Sequence, residues 1–391
     1  MTLKSDSRSR IEIEKIIYLN RLDWELQKAN TRYATHGYHP YSAKYIPQIP
    51  NYLISKFSEK NDLILDNFMG SGTTLVESKI LGRNAIGVDI NPLACLISKV
   101  KITNLQKSDL KNVSTICASM KEDILVVRSH ANLTNHEHRN RILIDDSLHP
   151  NIRKWFHEDV LCELVIIKKR ICSIENRDIR DFLLVALSSI LRGVSNAASG
   201  FGNLMINKHI ILKKRIYEKF VYAVKYMING MLEFNKISTK SNMRIFNHDC
   251  RSLLFINDET VDFICTHPPY MAAVPYAEYQ KLSLWWLGFD QCALEKSLIG
   301  GQRSRADTQD RFFRGMHTAL MEMKRVLVKK KYCCIIIGNP MYHGKVLALN
   351  DFIKNEAKAI GFIVLKEISR GKYKSTMGKM KEEFILVLKN E

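Results

Sequence analysis

The sequence has no apolar run long enough to cross a bilayer, and its nine cysteines include no CxxC pair. The first absence argues against a membrane-embedded chain, and the second against a cysteine-rich zinc site. Scattered cysteines in odd number are typical of free thiols in a reducing compartment. Residues 1–10 are polar and basic and lack the apolar segment of a secretory signal. We therefore expect a cytoplasmic protein associated with the nucleoid.

Acidic side chains are scarce relative to basic ones. There are 40 Asp and Glu against 59 Lys and Arg, which gives a formal net charge of +19. A charge of this size repels itself, and a polyanionic partner relieves the repulsion. Nucleic acid is the first partner that the charge predicts and an anionic membrane surface the second. A basic surface kept only for solubility is the remaining alternative.

Hydrophobic residues make up 46% of the 391 residues, enough for a substantial core. Residues 63–66 and 84–89 read as apolar strands, with a helix between them from Thr73 to Leu81. This order begins a parallel α/β sheet. The apolar patterns predict further strands at Val261–Cys265, Tyr332–Ile337, Phe362–Ile368 and Phe384–Leu388.

Helical periodicity dominates elsewhere. It predicts an amphipathic helix over residues 9–30 and several helices between Trp155 and Asn229. We therefore expect an α/β domain formed by residues 1–105 and 243–391. A mainly helical insert, residues 106–242, interrupts it.

A glycine-bearing turn, Asp66-Asn67-Phe68-Met69-Gly70-Ser71-Gly72-Thr73-Thr74, connects the first strand to its helix. Glycines let a backbone approach a ligand at a helix N-terminus, although such a turn alone is more often structural. No Lys follows Gly72, so the turn is not a Walker A loop, and the third glycine of GxGxxG is missing. Asp89, at the end of the next strand, is placed to bind ribose hydroxyls. A ligand with a ribose and no phosphate fits best, and S-adenosylmethionine is such a ligand.

A second turn, Thr266-His267-Pro268-Pro269-Tyr270, follows the strand that ends at Cys265. Its prolines fix the backbone and leave carbonyls free to accept hydrogen bonds. Open α/β sheets bind ligands at the carboxyl ends of their strands. Acceptors held rigidly there favour methylation of a ring-conjugated amine, because they turn the delocalised nitrogen lone pair toward the methyl group.

Together the two turns resemble the amino-methyltransferase family of DNA-modifying enzymes, which make N6-methyladenine or N4-methylcytosine. The first resembles the family's D-P-F-x-G-S-G-T-T, with Asn67 in place of the usual Pro. Residues 38–47 resemble the segment that closes over the methionine end of the cofactor, and residues 247–249 resemble the acidic contact to its adenine. The resemblance covers roughly residues 35–105 and 243–390. It implies a Rossmann-like class I methyltransferase fold with a mostly parallel sheet and a C-terminal β-hairpin.

The resemblance implies S-adenosylmethionine as the cofactor and no metal. Double-stranded DNA is the implied partner, and a companion restriction endonuclease is compatible with it. The implied catalytic residues are Thr266, His267, Pro268, Pro269 and Tyr270. The implied cofactor-binding residues are Tyr38, Lys44, Asp66, Phe68, Gly70, Ser71, Gly72, Thr73, Asp89, Ile90, Asp249 and Cys250.

The sequence departs from the family at His267, where Asp, Asn or Ser is usual. A neutral imidazole accepts one hydrogen bond, whereas an imidazolium only donates. We expect neutral His267 and the Pro268 carbonyl to hold the target amine, and Tyr270 to stack on the base. Activity should then fall as His267 protonates, near or below its reference pKa of about 6.5. Without Asp the turn favours cytosine N4, with adenine N6 as the alternative.

A base inside a duplex must be flipped out to reach such a pocket. The basic insert is the candidate for target recognition, together with two glycine-rich loops, 195–203 and 300–305. Solvated helix faces are the alternative for most of the charges. The predicted DNA contacts are Ser195, Asn196, Phe201, Arg303 and Arg305.

Two other functions remain open at this stage. One is an RNA methyltransferase with a related catalytic turn, and the other is an inactive nucleic-acid-binding protein on the same fold. Histidines at 130, 136, 138 and 149 lie in a polar stretch without partner cysteines, and we interpret them as surface residues.

Overall fold

The computed structural model describes residues 14–131, 148–198, 204–207, 215–271, 275–302, 305–370 and 380–391. None of the helices in these ranges has the length and apolarity that a membrane span needs. The predicted N-terminal helix is shorter than expected, because its described part ends at Asn20. Beyond it, the Asp23 carboxylate accepts a hydrogen bond from the Glu25 N–H, and Leu26 has a φ of 50°. This local turn chemistry overrides the helical spacing of the apolar residues.

The described residues form eight strands, which make one mixed sheet in the order β3-β2-β1-β4-β5-β8-β7, with β6 paired to the end of β5. The first five run parallel to one another, and β8 runs antiparallel to both β5 and β7. This arrangement confirms the predicted α/β class, with a mostly parallel sheet and a C-terminal hairpin. The strands are β1 (Leu63–Asp66), β2 (Asn84–Asp89), β3 (Met243–Asn247), β4 (Val261–Thr266), β5 (Leu327–Tyr342), β6 (Lys345–Val346), β7 (Phe362–Ser369) and β8 (Met380–Asn390).

Helices cover both faces of the sheet, and successive strand residues point to opposite faces. In β1, Ile64 packs into the core on one face and Leu65 into the core on the other. The helices are α1 (Gln48–Phe57), α2 (Thr73–Ile80), α3 (Pro92–Ile102), α4 (Lys107–Ala131), α5 (Glu158–Cys172), α6 (Arg177–Val194), α7 (Ile216–Ile237), α8 (Tyr276–Tyr279), α9 (Lys281–Trp286), α10 (Gln291–Ser297), α11 (Thr308–Val326) and α12 (Leu349–Ala359).

The chain between β2 and β3 continues into a helical layer on one face of the sheet. The described residues of this layer form α4 to α7 and a short 3₁₀ helix, Ile152–Trp155. They also form one β-bridge, between Ala197 and Ile206. Helix α6 packs against α3 and α9. Lys99 of α3 also pairs with Asp181 of α6 at 2.7 Å. The helical layer therefore shares its core with the sheet rather than standing apart from it.

Candidate active site

The glycine turn and the double-proline turn lie side by side. They follow β1 and β4, which pair in parallel with Ile64 opposite Phe263. Asp66 ends β1 and lies between the two turns. Its carboxylate accepts hydrogen bonds from the hydroxyls of Thr74, at 2.6 Å, and Thr266, at 2.8 Å. One buried carboxylate thus ties both turns together.

Burial raises the pKa of Asp66 to about 6, although hydrogen bonds from Thr74, Thr266 and the Phe68 N–H oppose the shift. A carboxylate without a cationic partner is costly to bury unless its lone pairs are satisfied. Asp66 lies beneath the cleft rather than on its surface. Its position favours a role in aligning the turns over direct contact with a cofactor.

The glycine turn is shaped by its backbone and by close packing. Gly70 and Gly72 have φ values of 51° and 77°, in the left-handed region. A Cβ on Gly72 would lie 2.6 Å from the Ser98 Oγ atom. The Gly70 N–H donates to Asp89 at 2.7 Å, and the Asn91 N–H donates to the same carboxylate at 2.8 Å. The turn and the end of β2 are therefore one rigid unit.

A cleft with about 820 Å³ of empty space, including the part open to solvent, lies between the two turns and residues 41–45. Several residues predicted from sequence line it, namely Lys44, Phe68, Gly70, Ser71, Thr73, Asp89, Ile90, Asp249, Cys250, His267 and Pro269. Sequence reasoning missed other lining residues, chiefly Tyr41, Tyr45, Met69, Asn91, Tyr276, Leu298 and Ile299. The lining does not include the predicted residues Tyr38, Asp66, Gly72, Thr266, Pro268 and Tyr270.

The missed aromatic residues differ in how far the sequence signals them. Tyr41 and Tyr45 lie inside the segment already singled out on either side of Lys44, so the motif itself could have suggested them. Tyr276 reaches the cleft because α8 folds back beneath the catalytic turn, and no local spacing signals this. Its hydroxyl oxygen lies 3.4 Å from the Tyr270 N–H.

Tyr38 does not reach the cleft, so the prediction that it contacts the cofactor is wrong. The side chain is buried, and its hydroxyl donates to the Met227 carbonyl at 2.7 Å. Its ring meets Phe182 edge-on, with 6.1 Å between centroids. Tyr38 therefore fastens the segment of residues 38–47 to the helical layer, while Lys44 of the same segment lines the cleft.

The cleft has the donors, acceptors and apolar walls that S-adenosylmethionine needs. Asp89 has lone pairs left for a ribose, and burial raises its pKa to about 6 against the hydrogen bonds from Asn91 and Gly70. The Asn67 amide and the Ser71 hydroxyl are buried and have no hydrogen-bond partner among the described residues. Orphaned buried polar groups of this kind indicate a missing partner.

Asp249 lines the cleft and follows β3, which is separated from β4 by β2 and β1 in the sheet. Burial raises the pKa of its carboxyl, but the hydrogen bonds from Arg251 outweigh this and leave the pKa below its ordinary value. The carboxylate accepts from the Arg251 N–H at 2.9 Å. It therefore stays ionised at neutral pH and can accept a hydrogen bond from an adenine amine.

His267 lies at the cleft with only 7% of its side chain exposed. Its Nε2 atom hydrogen-bonds the hydroxyl of Tyr270, and the Tyr45 ring meets the imidazole edge-on. Burial, and to a smaller extent the charge of Arg370, lower its pKa to about 3 against the opposing effect of the Ala43 backbone. His267 therefore protonates well below its reference pKa of about 6.5, and the imidazole is neutral at all physiological pH values.

Tyr270 is turned into the core, contrary to the prediction that it stacks on a base. Only 6% of the residue is exposed. Its hydroxyl donates to the Glu383 carboxylate at 2.9 Å. The second proline of the turn, Pro269, reaches the cleft surface instead.

Of the predicted DNA contacts, Phe201 and Arg303 lie outside the described residues. Ser195 is buried and its hydroxyl donates to the Arg192 carbonyl at 2.8 Å, so its predicted contact with DNA is corrected to a role at the end of α6. The Asn196 N–H donates to the Trp155 carbonyl at 2.7 Å. Arg305 is exposed and pairs with Asp307 through two N–H groups.

No group of three or more His, Cys, Asp or Glu side chains within the described ranges is arranged to hold a metal ion. His149 stacks on Trp285 with 3.9 Å between ring centroids. Of the other histidines in that stretch, 136 and 138 lie outside the described residues.

A family model described as DNA methylase matches residues 6–100. The type II methyltransferase M.MjaII of Methanocaldococcus jannaschii is 24% identical over 438 residues, which cover 90% of this chain and 80% of that protein. M.MvaI of Kocuria varians, also a type II methyltransferase, is 30% identical over 275 residues, which cover 66% of this chain and 58% of that protein. A putative DNA modification methylase from Thermus thermophilus, solved with S-adenosyl-L-methionine, is 20% identical over 36% of this chain and 53% of its own, with a TM-score of 0.25.

The sequence matches agree with the sheet topology and with the two adjoining turns. The family model covers the glycine turn and the end of β2, and the M.MjaII alignment extends over most of the chain. Residues 6–100 match the N6/N4 DNA methylase family, and the chain is an S-adenosylmethionine-dependent DNA methyltransferase similar to the type II enzymes.

Proposed function

We propose that the protein transfers the methyl group of S-adenosylmethionine to an exocyclic amine of a specific base in double-stranded DNA, with cytosine N4 favoured. The observation that carries this is the single cleft shared by the two turns. Asp89 and Asp249, at the end of β2 and just after β3, and His267 and Pro269, after β4, all line it. A cofactor held by the first pair presents its sulfonium end to the second.

S-adenosylmethionine, when bound, supplies an electrophilic methyl group. In this chain Asp89 would accept the ribose hydroxyls and Asp249 would accept from the adenine amine, while Phe68 and Leu298 supply apolar walls. Lys44 lines the cleft and its ammonium donates to the His36 carbonyl at 3.0 Å, so it is placed to neutralise a carboxylate. Each of these groups orients the ligand and limits the access of water.

The catalytic turn acts on the amine. The lone pair of an exocyclic amine is delocalised into the base, so the nitrogen is a weak nucleophile. Neutral His267, which lines the cleft, accepts one N–H group and favours a pyramidal nitrogen with its lone pair directed at the methyl group. The second acceptor predicted from sequence, the Pro268 carbonyl, is not part of the cleft lining. The low pKa of His267 keeps the imidazole an acceptor down to about pH 3. We favour cytosine because the Thr-His-Pro-Pro-Tyr turn lacks an Asp, and adenine N6 is the alternative.

We further propose that the enzyme is the modification half of a type II restriction–modification system, with a companion endonuclease as its partner. The relatives M.MjaII and M.MvaI are named type II methyltransferases. The large positive charge supports a DNA substrate. Target recognition then belongs to the helical layer and its loops.

Methyl transfer from labelled S-adenosylmethionine tests the proposal. The purified protein is incubated in parallel with duplex DNA and with total RNA, and we expect label on the duplex DNA alone. Label on RNA alone would support the RNA methyltransferase alternative. Binding of S-adenosylmethionine without turnover on any DNA would support the inactive alternative.

A further inference from the structure

A line of four buried side chains leads from the cleft into the protein. His267 Nε2 contacts the Tyr270 hydroxyl, which donates to Glu383 Oε1 at 2.9 Å. The other oxygen of Glu383 pairs with Arg370. Glu383 and Arg370 have side chains only 8% and 4% exposed; Glu383 lies in β8, and Arg370 directly follows β7.

The ion pair sets the direction of these hydrogen bonds. Arg370 donates both to Glu383 and, at 2.8 Å, to the Trp24 carbonyl, so the guanidinium is held in place and keeps Glu383 ionised. An ionised carboxylate only accepts, and the Tyr270 hydroxyl has a single proton to give it. The Tyr270 oxygen must then accept from His267, which places the imidazole proton on Nε2. In the neutral ring the lone pair is left on Nδ1.

We propose that Glu383 is a positioning residue that fixes the tautomer of His267 through the hydroxyl of Tyr270. Nδ1 is then the imidazole atom that accepts the hydrogen of the target amine. The assignment of that hydrogen to a target amine rests on the proposed function, whereas the assignment of the tautomer does not. Tyr270 accordingly works as a relay below the cleft, which explains why its ring is buried instead of facing a base.

The tautomer can be measured directly by NMR of the protein labelled with ¹⁵N-histidine, because the two ring nitrogens shift in opposite directions when one carries the proton. A His267→Asn sample identifies the resonances. We expect the Nε2–H form in the wild type, and a mixed or reversed population in Glu383→Gln and Tyr270→Phe. An Nδ1–H form in the wild type, or an unchanged pure tautomer in Tyr270→Phe, would overturn the proposal.

Tyr270→Phe keeps the Glu383–Arg370 pair intact, so it tests the relay even if Glu383→Gln fails to fold with Arg370 left unpaired. Steady-state kinetics gives the second readout. We expect kcat to fall at least about tenfold in each single variant, with the Kd for S-adenosylmethionine unchanged. The double variant should be no slower than the worse single one, because both remove the same link.

Glu382→Gln is the matched control, because Glu382 is the adjacent residue of β8 and its side chain points to the other face of the sheet. It should leave the tautomer and kcat unchanged. If the network only stabilises the hairpin, the variants should lose thermal stability, and the losses of the two single variants should be additive in the double variant. The tautomer of His267 should then stay as in the wild type. A wild-type protein that shows the Nε2–H form but methylates no DNA would refute the proposed function and leave the tautomer assignment standing.

Discussion

Two buried aspartates at neighbouring strand ends have pKa values of about 6 for the same reason, burial, but differ in what they can bind. Asp66 is enclosed by the hydroxyls of Thr74 and Thr266 and has no access to the cleft. The Asp89 carboxylate accepts hydrogen bonds from two backbone N–H groups and still lines the cleft. The first holds the turns together, and the second is free to bind a ribose.

Cofactor affinity should therefore depend on the protonation of Asp89. The pKa lies above its ordinary value, so the carboxylate is ionised above about pH 6 and loses its charge as pH falls through that value. By calorimetry we expect the Kd for S-adenosylmethionine to rise below pH 6. Asp89→Asn should bind about 10- to 100-fold more weakly and lose this pH dependence. Asp307→Asn, at an exposed carboxylate outside the cleft, should keep the wild-type profile; the same pH profile in Asp89→Asn would contradict the assignment.

The link through Asp66 should contribute to stability. Thr266→Val keeps the shape of the side chain but removes one hydrogen bond to a buried carboxylate, which costs about 1–3 kcal/mol. Urea unfolding should show this loss together with reduced methyl transfer. Thr260→Val is the control, because that hydroxyl donates to the exposed Asn257 carbonyl just before β4. Equal effects of the two substitutions would show that Asp66 does not depend on Thr266.

At the scale of elements, the turn between β1 and α2 fits tightly against α3. Gly72 and Gly344 both have a φ of 77°, but a Cβ on Gly344 meets nothing within 4 Å, whereas one on Gly72 collides with Ser98. Any L residue is strained at such a φ, so the two positions differ only in their surroundings.

Alanine at the two glycines separates strain from crowding. Gly344→Ala should cost about 1 kcal/mol, which is the strain of the left-handed conformation. Gly72→Ala should cost about 1–3 kcal/mol more, because α3 must move. Chemical denaturation measures both, and binding of S-adenosylmethionine should weaken only in Gly72→Ala. Equal costs would mean that the turn is not packed as described.

The sequence predicted those elements whose signals are local. The strands before Asp66, Asp89 and Thr266 are short apolar runs that end in polar turns, and all three formed where expected. The orientation of Tyr270 was not predictable, because it depends on Glu383, which lies 113 residues further along the chain. The predicted N-terminal helix, residues 9–30, was too long. The turn at Asp23 interrupts the helix although the apolar residues keep a regular helical spacing.

At the scale of the whole molecule, the net charge of +19 should dominate encounter with DNA. Each phosphate neutralised releases a counterion, so affinity for duplex DNA should fall steeply with salt. We expect a loss of at least about tenfold between roughly 50 and 200 mM salt. The Kd for S-adenosylmethionine, measured over the same range, is the internal control and should change far less. A DNA affinity that does not respond to salt would contradict an electrostatic interface.

Methyl transfer as proposed requires that one cleft serve both the cofactor and the target amine. Nucleoside analysis by mass spectrometry of DNA from cells that express the protein tests this most directly. We predict N4-methylcytosine, absent from cells that express Asp89→Asn. N6-methyladenine would still support the shared cleft but would show that the target base is adenine. DNA without any methylated exocyclic amine, from cells with folded protein that binds S-adenosylmethionine, would contradict the account.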